Sequence, residues 1–349
     1  MITKTLAFGV GRYDWSDKLN IVSYAFENGI RIFDTAESCF DPLCGHGSEN
    51  ILSSSNFTDM IISTKFSPNR ICYIDVVQSA ENSLHRLKRD TIDIYSSHWP
   101  NYDVNIDEIY SALYNLKTKG KIQNIGFCNV SLRDLKTICS LGKVDYVQIE
   151  FNVFDRWGQD IIEYCADNGI KCMAYSPLDQ GISCDSENSK KILSAIAKKY
   201  NATIFQVVLS WIMYKDIIPI FTSKSKEHIK ENIDSKKILL SNEEITTIDT
   251  LGAKIEYINT DMIIPTDGGH YDRTTCKTLE DAKKNTMGYC PSPESIARYL
   301  LQGNSIKPLK VSRIDKQYKL IEGRCRYWGW QLAFGASSAI PAYIRETKV

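Results

Sequence analysis

Three side chains able to hold, give or take a proton stand at the carboxyl ends of short apolar runs. Asp34 closes Ile30–Phe33, Lys65 follows Met60–Thr64, and His98 follows Ile92–Tyr95. A carboxylate, an ammonium and an imidazole that titrates near neutrality are the materials of acid/base catalysis. Alone, each has a plainer explanation. Asp34 would cap a turn, Lys65 would be a solvated loop charge, and His98 would be a hydrogen-bonded core histidine. More polar residues occupy equivalent places. Asn129 follows Ile122–Phe127, Gln148 ends the run from Tyr146, Tyr175 ends Lys171–Tyr175, and Ser223 follows Ile217–Phe221. Seven polar groups at matching positions point to one shared site.

The elements that must position them alternate. With a first strand in Thr5–Gly11, the apolar runs make eight strands separated by amphipathic stretches, over about 250 residues, the size and rhythm of a (β/α)8 TIM barrel. Ile74, Val77, Ala80, Leu84 and Leu87 mark one helical stripe, and Ile109, Leu113 and Leu116 another. Thr203 with Gln206, and Ser241 with Glu244, are spaced as capping boxes. A doubly wound open sheet has the same alternation. The barrel is favoured because the Gly9–Gly11 turn lacks the full dinucleotide fingerprint and polar residues end nearly every strand. In a barrel those ends share one mouth.

The 349 residues hold 43% hydrophobic and 24% charged residues, an α/β globular balance, with formal net charge +0. From Ile255 onward there are 14 Lys+Arg against 10 Asp+Glu, and 28 against 32 before it, so the chain has an acidic front and a basic tail. The expected division is 1–253 and 254–349, the second part facing phosphate or another anion. Eleven cysteines without a C-x-x-C pair suggest a reducing compartment, and the absence of a long apolar run or signal pattern suggests a cytoplasmic protein that does not engage a membrane.

The segments GIRIFDTAE, IISTKF, IDIYSSHWPN, GKIQNIGFCNVS, VDYVQIEFNVFDR, GIKCMAYSPLDQG and SKSKEHIKEN, in this order, resemble the aldo-keto reductase family across about Thr5 to Leu251. The resemblance implies an NAD(P)-dependent oxidoreductase with NADP or NAD extended across the barrel mouth. Asp34, Lys65 and His98 fall on three of the family's four catalytic positions. Asn129 and Gln148 would hold the carboxamide, and Tyr175 would stack on the nicotinamide. Ser223, Glu231 and Asn232 would meet the adenosine end. His228 stands where many members have an Arg for the 2′-phosphate, with Lys224 and Lys226 nearby.

The family's proton-donating Tyr is replaced by Cys39, between Ser38 and Phe40. A thiol is shorter than a phenol, and beside an ammonium it tends to the thiolate, which accepts rather than donates. This shifts acid/base work to His98 and favours hydride leaving an alcohol carbon, with elimination or epimerisation to follow. Cys39 is read as a nucleophile, a redox thiol or a small residue making room for substrate. With Cys44 and His46 it also raises a zinc reading, but a fourth ligand is lacking and no metal site is expected.

The tail resembles the ParB N-terminal/sulfiredoxin-like superfamily, a small α+β fold, in Pro308–Val311, Tyr318–Arg326 and Ile340–Ala342, after a helix opening at Ser292-Pro293-Glu294. That resemblance implies nucleotide-phosphate binding by Gly323, Arg324 and Arg326. The partner is then a small molecule, phosphorylated or nucleotide-like. Sequence-specific nucleic-acid binding is not expected, for want of an appended helix-turn-helix and of net charge. Two alternatives differ in class: a catalytically inactive barrel acting as a nucleotide or NAD(P) sensor, and nucleotide-dependent phosphotransfer by the tail.

Overall fold

The computed structural model describes residues 4–11, 17–37, 47–54, 57–179, 187–265, 278–285, 288 and 290–345. Cys39, Cys44 and His46 lie outside the described residues. The chain forms two compact units, one running up to Pro100 and over Val104–Leu251, the other comprising Asn101–Asp103 and Gly252–Val349.

The first unit is a closed barrel. Its strands are β1 Ala7–Gly9, β2 Ile32–Asp34, β3 Ile61–Phe66, β4 Ile92–Ser97, β5 Ile122–Cys128, β6 Tyr146–Glu150, β7 Lys171–Tyr175 and β8 Ile217–Phe221. Each pairs in parallel with the next, and β1 pairs with both β2 and β8. That closure excludes the open doubly wound sheet. Helices α1 Lys18–Glu27, α2 Gly47–Ser53, α3 Tyr73–Leu87, α4 Ile106–Thr118, α5 Leu132–Leu141 and α6 Gln159–Asp167 follow β1 to β6 in turn. After β7 come α7 Glu187–Lys199 and α8 Ile204–Tyr214, and after β8 come α9 Lys226–Asp234 and α10 Asn242–Asp249.

Both capping boxes form: Thr203 and Gln206 open α8, and Ser241 and Glu244 open α10. Seven consecutive residues of α8, Val207 to Met213, are buried, so this helix is covered on every side. The α3 stripe differs from expectation. Ile74 is 74% exposed, and Val76, Ala80, Leu84 and Leu87 make the buried face. At about 100° per residue Ile74 lies on the far side from Ala80 and Leu87, so its apolar character misleads.

Inside the barrel, Ala7, Ile32, Ile94, Met173 and Ile220 pack as one apolar layer. Side chains alternate along a strand, so residues two positions on point to the same interior. Asp34, Ser96, Tyr175 and Thr222 are those residues on β2, β4, β7 and just past β8. The apolar plug and the polar site above it are consecutive layers of the same strands.

The second unit holds a five-stranded sheet in the order β10-β12-β11-β13-β9. These strands are β9 Ile255–Asn259, β10 Ile263–Ile264, β11 Leu309–Ile314, β12 Gln317–Glu322 and β13 Ala339–Arg345, with helices α11 Leu279–Lys284, α12 Pro293–Leu301 and α13 Arg324–Phe334. Its core joins Leu309, Val311, Leu320, Ile340 and Ala342 to Tyr327 and Trp328. The segments singled out from sequence fall on β11, on β12 with the start of α13, and on β13, and Ser292 caps α12 with Pro293 in its first turn. Strands β9 and β10 precede every tail segment singled out from sequence. Only Ile258 of β9 is buried, so this edge strand lacks the alternation that marks a half-buried one. No described helix is long and apolar enough to cross a membrane.

Candidate active site

Asp34 ends β2 and Lys65 sits one residue before the end of β3. Lys65 Nζ donates to both Asp34 carboxylate oxygens and to the main-chain oxygen of Thr35, each at 2.7 Å. The two side chains are 12% and 3% exposed, so the pair is largely removed from water. Such a pair repays its desolvation only when its other valences are filled. Here they are, because Asp34 Oδ1 also accepts from Ser63 Oγ and from Gln148 Nε2, both at 2.9 Å. Ser63 stands two residues before Lys65 on β3 and therefore faces the same interior.

His98 follows β4, with its backbone pinned on both sides. Its N–H donates to Phe66 O at 3.1 Å, and its carbonyl accepts from Asn129 Nδ2 at 3.0 Å. Burial, and next the Lys65 ammonium, lower the imidazole pKa from 6.5 to about 4, against weaker opposing pulls from Asp34 and Glu37. The imidazole is thus neutral at physiological pH. Tyr175 OH donates to Asn129 Oδ1 at 2.8 Å, tying the ends of β7, β5 and β4 together. Asn129 adopts the left-handed conformation, φ 59°, which Asn tolerates better than most residues.

Beneath these groups, burial raises the Cys128 thiol to about 12, against a lowering pull from Lys65, so it stays protonated. A Cβ on Gly126 would collide with Ser96 Oγ, so glycine is what lets β4 and β5 carry a hydroxyl at this point. Ser63, Ser96 and Cys128 were not singled out from sequence. Ser63 and Ser96 share a spacing signal, each lying two residues before Lys65 or His98, while Cys128 directly precedes Asn129.

The Ser223 to Asn232 stretch is more divided. Ser225 caps α9 by accepting from His228 N at 3.2 Å. Glu231 accepts from Thr203 Oγ1 at 2.6 Å, so its carboxylate helps hold the start of α8. Asn232 is buried, while Ser223 is engaged with Ser225. Thr222 Oγ1, at the carboxyl end of β8, is buried with no hydrogen-bond partner.

In the second unit, Gly323 has φ 109° and forms the N-cap of α13. A Cβ there would meet Leu309 Cδ2 at 2.6 Å, so both the backbone conformation and the packing require glycine. Arg324 begins the helix. Arg326 turns inward, donating to Lys307 O at 2.7 Å, Pro308 O at 2.8 Å and Glu322 Oε1 at 3.0 Å. Burial would raise the Glu322 carboxyl, but Lys307, Lys310 and Arg326 together hold it well below the usual range. Among the described residues no group of three His, Cys, Asp or Glu side chains is placed to hold a metal ion.

The aldo/keto reductase family model matches residues 3–253. The glyoxal reductase of Bacillus subtilis (strain 168) is 31% identical over 250 residues, 70% of this chain and 88% of that protein. The methylglyoxal reductase DkgB of Escherichia coli O157:H7 is 27% identical over 266 residues, 74% of this chain and 97% of that protein. Among solved structures, the thermostable aldo-keto reductase Tm1743, in complex with epalrestat, superposes with a TM-score of 0.66 at 31% identity, covering 71% of this chain and 94% of that one.

Proposed function

The chain belongs to the aldo/keto reductase family, and we propose that this NAD(P)-dependent oxidoreductase moves a proton at the oxygen of an alcohol or carbonyl substrate through His98. The observation that carries this reading is the convergence of Asp34, Lys65 and His98 at three successive strand ends, with the imidazole held neutral. A neutral imidazole has one N–H and one lone pair, so it can take a proton from a hydroxyl or lend one to a carbonyl oxygen. Lys65, fixed by Asp34, supplies positive charge where negative charge develops on that oxygen.

The residues fit a nicotinamide dinucleotide. Thr222 Oγ1 is a buried hydroxyl with no partner at the end of β8, and Ser223 and the first turn of α9 follow it. Such a group favours a ligand that completes it. Asn129 and Gln148 each have a second amide N–H beyond the bonds described, and these would meet the carboxamide. Tyr175 would lie against the nicotinamide. Ser223, His228, Glu231 and Asn232 would line the adenosine end, which takes NADP or NAD. Bound there, the dinucleotide gives or accepts a hydride at the substrate carbon.

For the substrate we favour a phosphorylated or nucleotide-linked alcohol. Replacement of the family's donor Tyr by Cys39 supports oxidation at an alcohol carbon, with elimination or epimerisation able to follow. Residues 1–253 would be the reductase unit, and 254–349 a ParB/sulfiredoxin-like nucleotide-binding domain. In that domain Gly323 and Arg324 would face phosphate, at a helix N-terminus suited to anions. Arg326, committed to Glu322 and two carbonyls, would shape the turn. The relatives named for glyoxal and methylglyoxal favour a second reading, reduction of small dicarbonyls.

One experiment separates these readings. The whole protein is incubated with NADP or NAD and sugar phosphates or nucleotides in one arm, and with the reduced dinucleotides and methylglyoxal in the other. Reduced-dinucleotide absorbance rises in the first arm if the alcohol reading holds and falls in the second if the dicarbonyl reading holds. A protein that binds neither dinucleotide defeats both.

A further inference from the structure

Glu37 is a buried carboxylate as heavily bonded as Asp34, and none of the roles assigned above uses it. It is 2% exposed, three residues past Asp34. Its main-chain N–H donates to Lys65 O at 3.0 Å. Its carboxylate accepts from Ser67 N at 2.6 Å, from Arg70 Nε and Nη2 at 3.1 and 3.2 Å, and from Ser79 Oγ at 2.6 Å. Tyr95 OH, from β4, donates in turn to Ser79 Oγ at 3.0 Å.

One residue thus joins four elements: the segment after β2, the end of β3 with the turn beyond it, α3, and the outward face of β4. Burial would raise this carboxyl, but Arg70, Ser79 and the Ser67 N–H more than offset it, leaving its pKa lowered. A buried carboxylate is costly unless its acceptor sites are filled. A plain scaffold contact here needs no charge, and an apolar side chain packed against α3 would serve. What a charged group with this fan of partners adds is direction. It fixes the backbone on both sides of the Asp34–Lys65 pair, at Thr35–Glu37 and at Lys65–Ser67, and Thr35 O is itself an acceptor for Lys65 Nζ.

We propose that Glu37 is a positioning residue, whose carboxylate and main-chain N–H clamp the ends of β2 and β3 so that Lys65 Nζ stays on Asp34. The inference rests on the reading of Asp34 and Lys65 as part of the catalytic site, but its test does not need turnover. Glu37→Gln keeps the shape and removes the charge, and Glu37→Asp keeps the charge on a shorter stem. Competitive acetylation of the whole protein, followed by peptide mass spectrometry, reports the relative reactivity of Lys65. Lys117, paired with Asp145 elsewhere on the barrel, is the internal control.

The expected result is a roughly tenfold rise in Lys65 labelling in Glu37→Gln, a smaller rise in Glu37→Asp and no change at Lys117. In turnover assays the same variant is expected to lose about tenfold in kcat while the dinucleotide KM holds, because the clamp acts on the Asp34–Lys65 pair and not on the groups assigned to the dinucleotide. Unchanged Lys65 labelling overturns the proposal, as does a parallel rise at Lys117, which would make Glu37 a general scaffold residue. A wild-type protein without turnover would count against the functional reading, and the labelling would still decide for or against the clamp.

Discussion

The side-chain amide of Gln148 donates to Asp34 Oδ1 at 2.9 Å, so β6, whose middle residue rather than its end is Gln148, reaches across the barrel to the carboxylate that holds Lys65. The family resemblance assigns Gln148 to a cofactor carboxamide, and the structure gives it a second task within the protein. Gln148→Ala is therefore expected to act twice. It should lower stability by about 1.5–3 kcal/mol through the lost bond to a charged group, and it should weaken dinucleotide binding. Urea denaturation checks the first and a fluorescence titration with NADPH the second.

The ion pair itself is expected to be strongly non-additive. Lys65→Met leaves the Asp34 carboxylate in a largely dry place with only Ser63 and Gln148 as donors. Breaking such a pair from one side costs about 3–5 kcal/mol. Asp34→Asn combined with Lys65→Met removes both charges and is expected to recover a large part of that loss. A double-mutant cycle in urea measures the coupling, and simple additivity would show that the pair is not an energetic unit.

His98 sets a pH dependence. Its folded pKa is depressed from 6.5 to about 4, so between those values the unfolded chain binds the additional proton. The contribution is fully present above pH 6.5 and is lost as pH falls through about 4. Denaturation midpoints across that window are expected to drop less in His98→Gln than in the wild type. Activity that needs neutral imidazole is expected to stay level down to about pH 5 and then fall, without the inflection near 6.5 that an exposed histidine gives.

Much of the barrel and its mouth was legible because two periods superpose in the chain. Apolar runs of strand length recur with helical stripes between them, and each run ends on a group with hydrogen-bonding or proton chemistry. Asp34, Lys65 and His98 could be placed on that basis before any coordinate was known. The carboxylates that buttress them could not. Nothing in the local sequence sets Glu37 and Glu49 apart, yet Glu37 meets Ser67, Arg70 and Ser79, and Glu49 meets Thr64 and Arg86. These partners lie 15 to 42 residues away, a distance over which local pattern carries no information. Glu231 and Arg326 show the converse: their motif positions suggested ligand contacts, and their side chains are bonded within the protein. In the tail, β9 escaped notice because an edge strand with one buried residue has almost no alternation to read.

The central claim is that one barrel mouth binds the dinucleotide and moves the proton, with His98 responsible only for the second. Stopped-flow mixing of wild-type protein and His98→Gln with oxidised dinucleotide and then an alcohol substrate, or with reduced dinucleotide and then a carbonyl substrate, whichever pair the wild type turns over, tests it most directly. The account expects both proteins to bind the dinucleotide with the same affinity and His98→Gln to lose about 10²–10⁴-fold in the oxidation or reduction step. Equal rates in the two proteins, or no dinucleotide binding by the wild type, would contradict it.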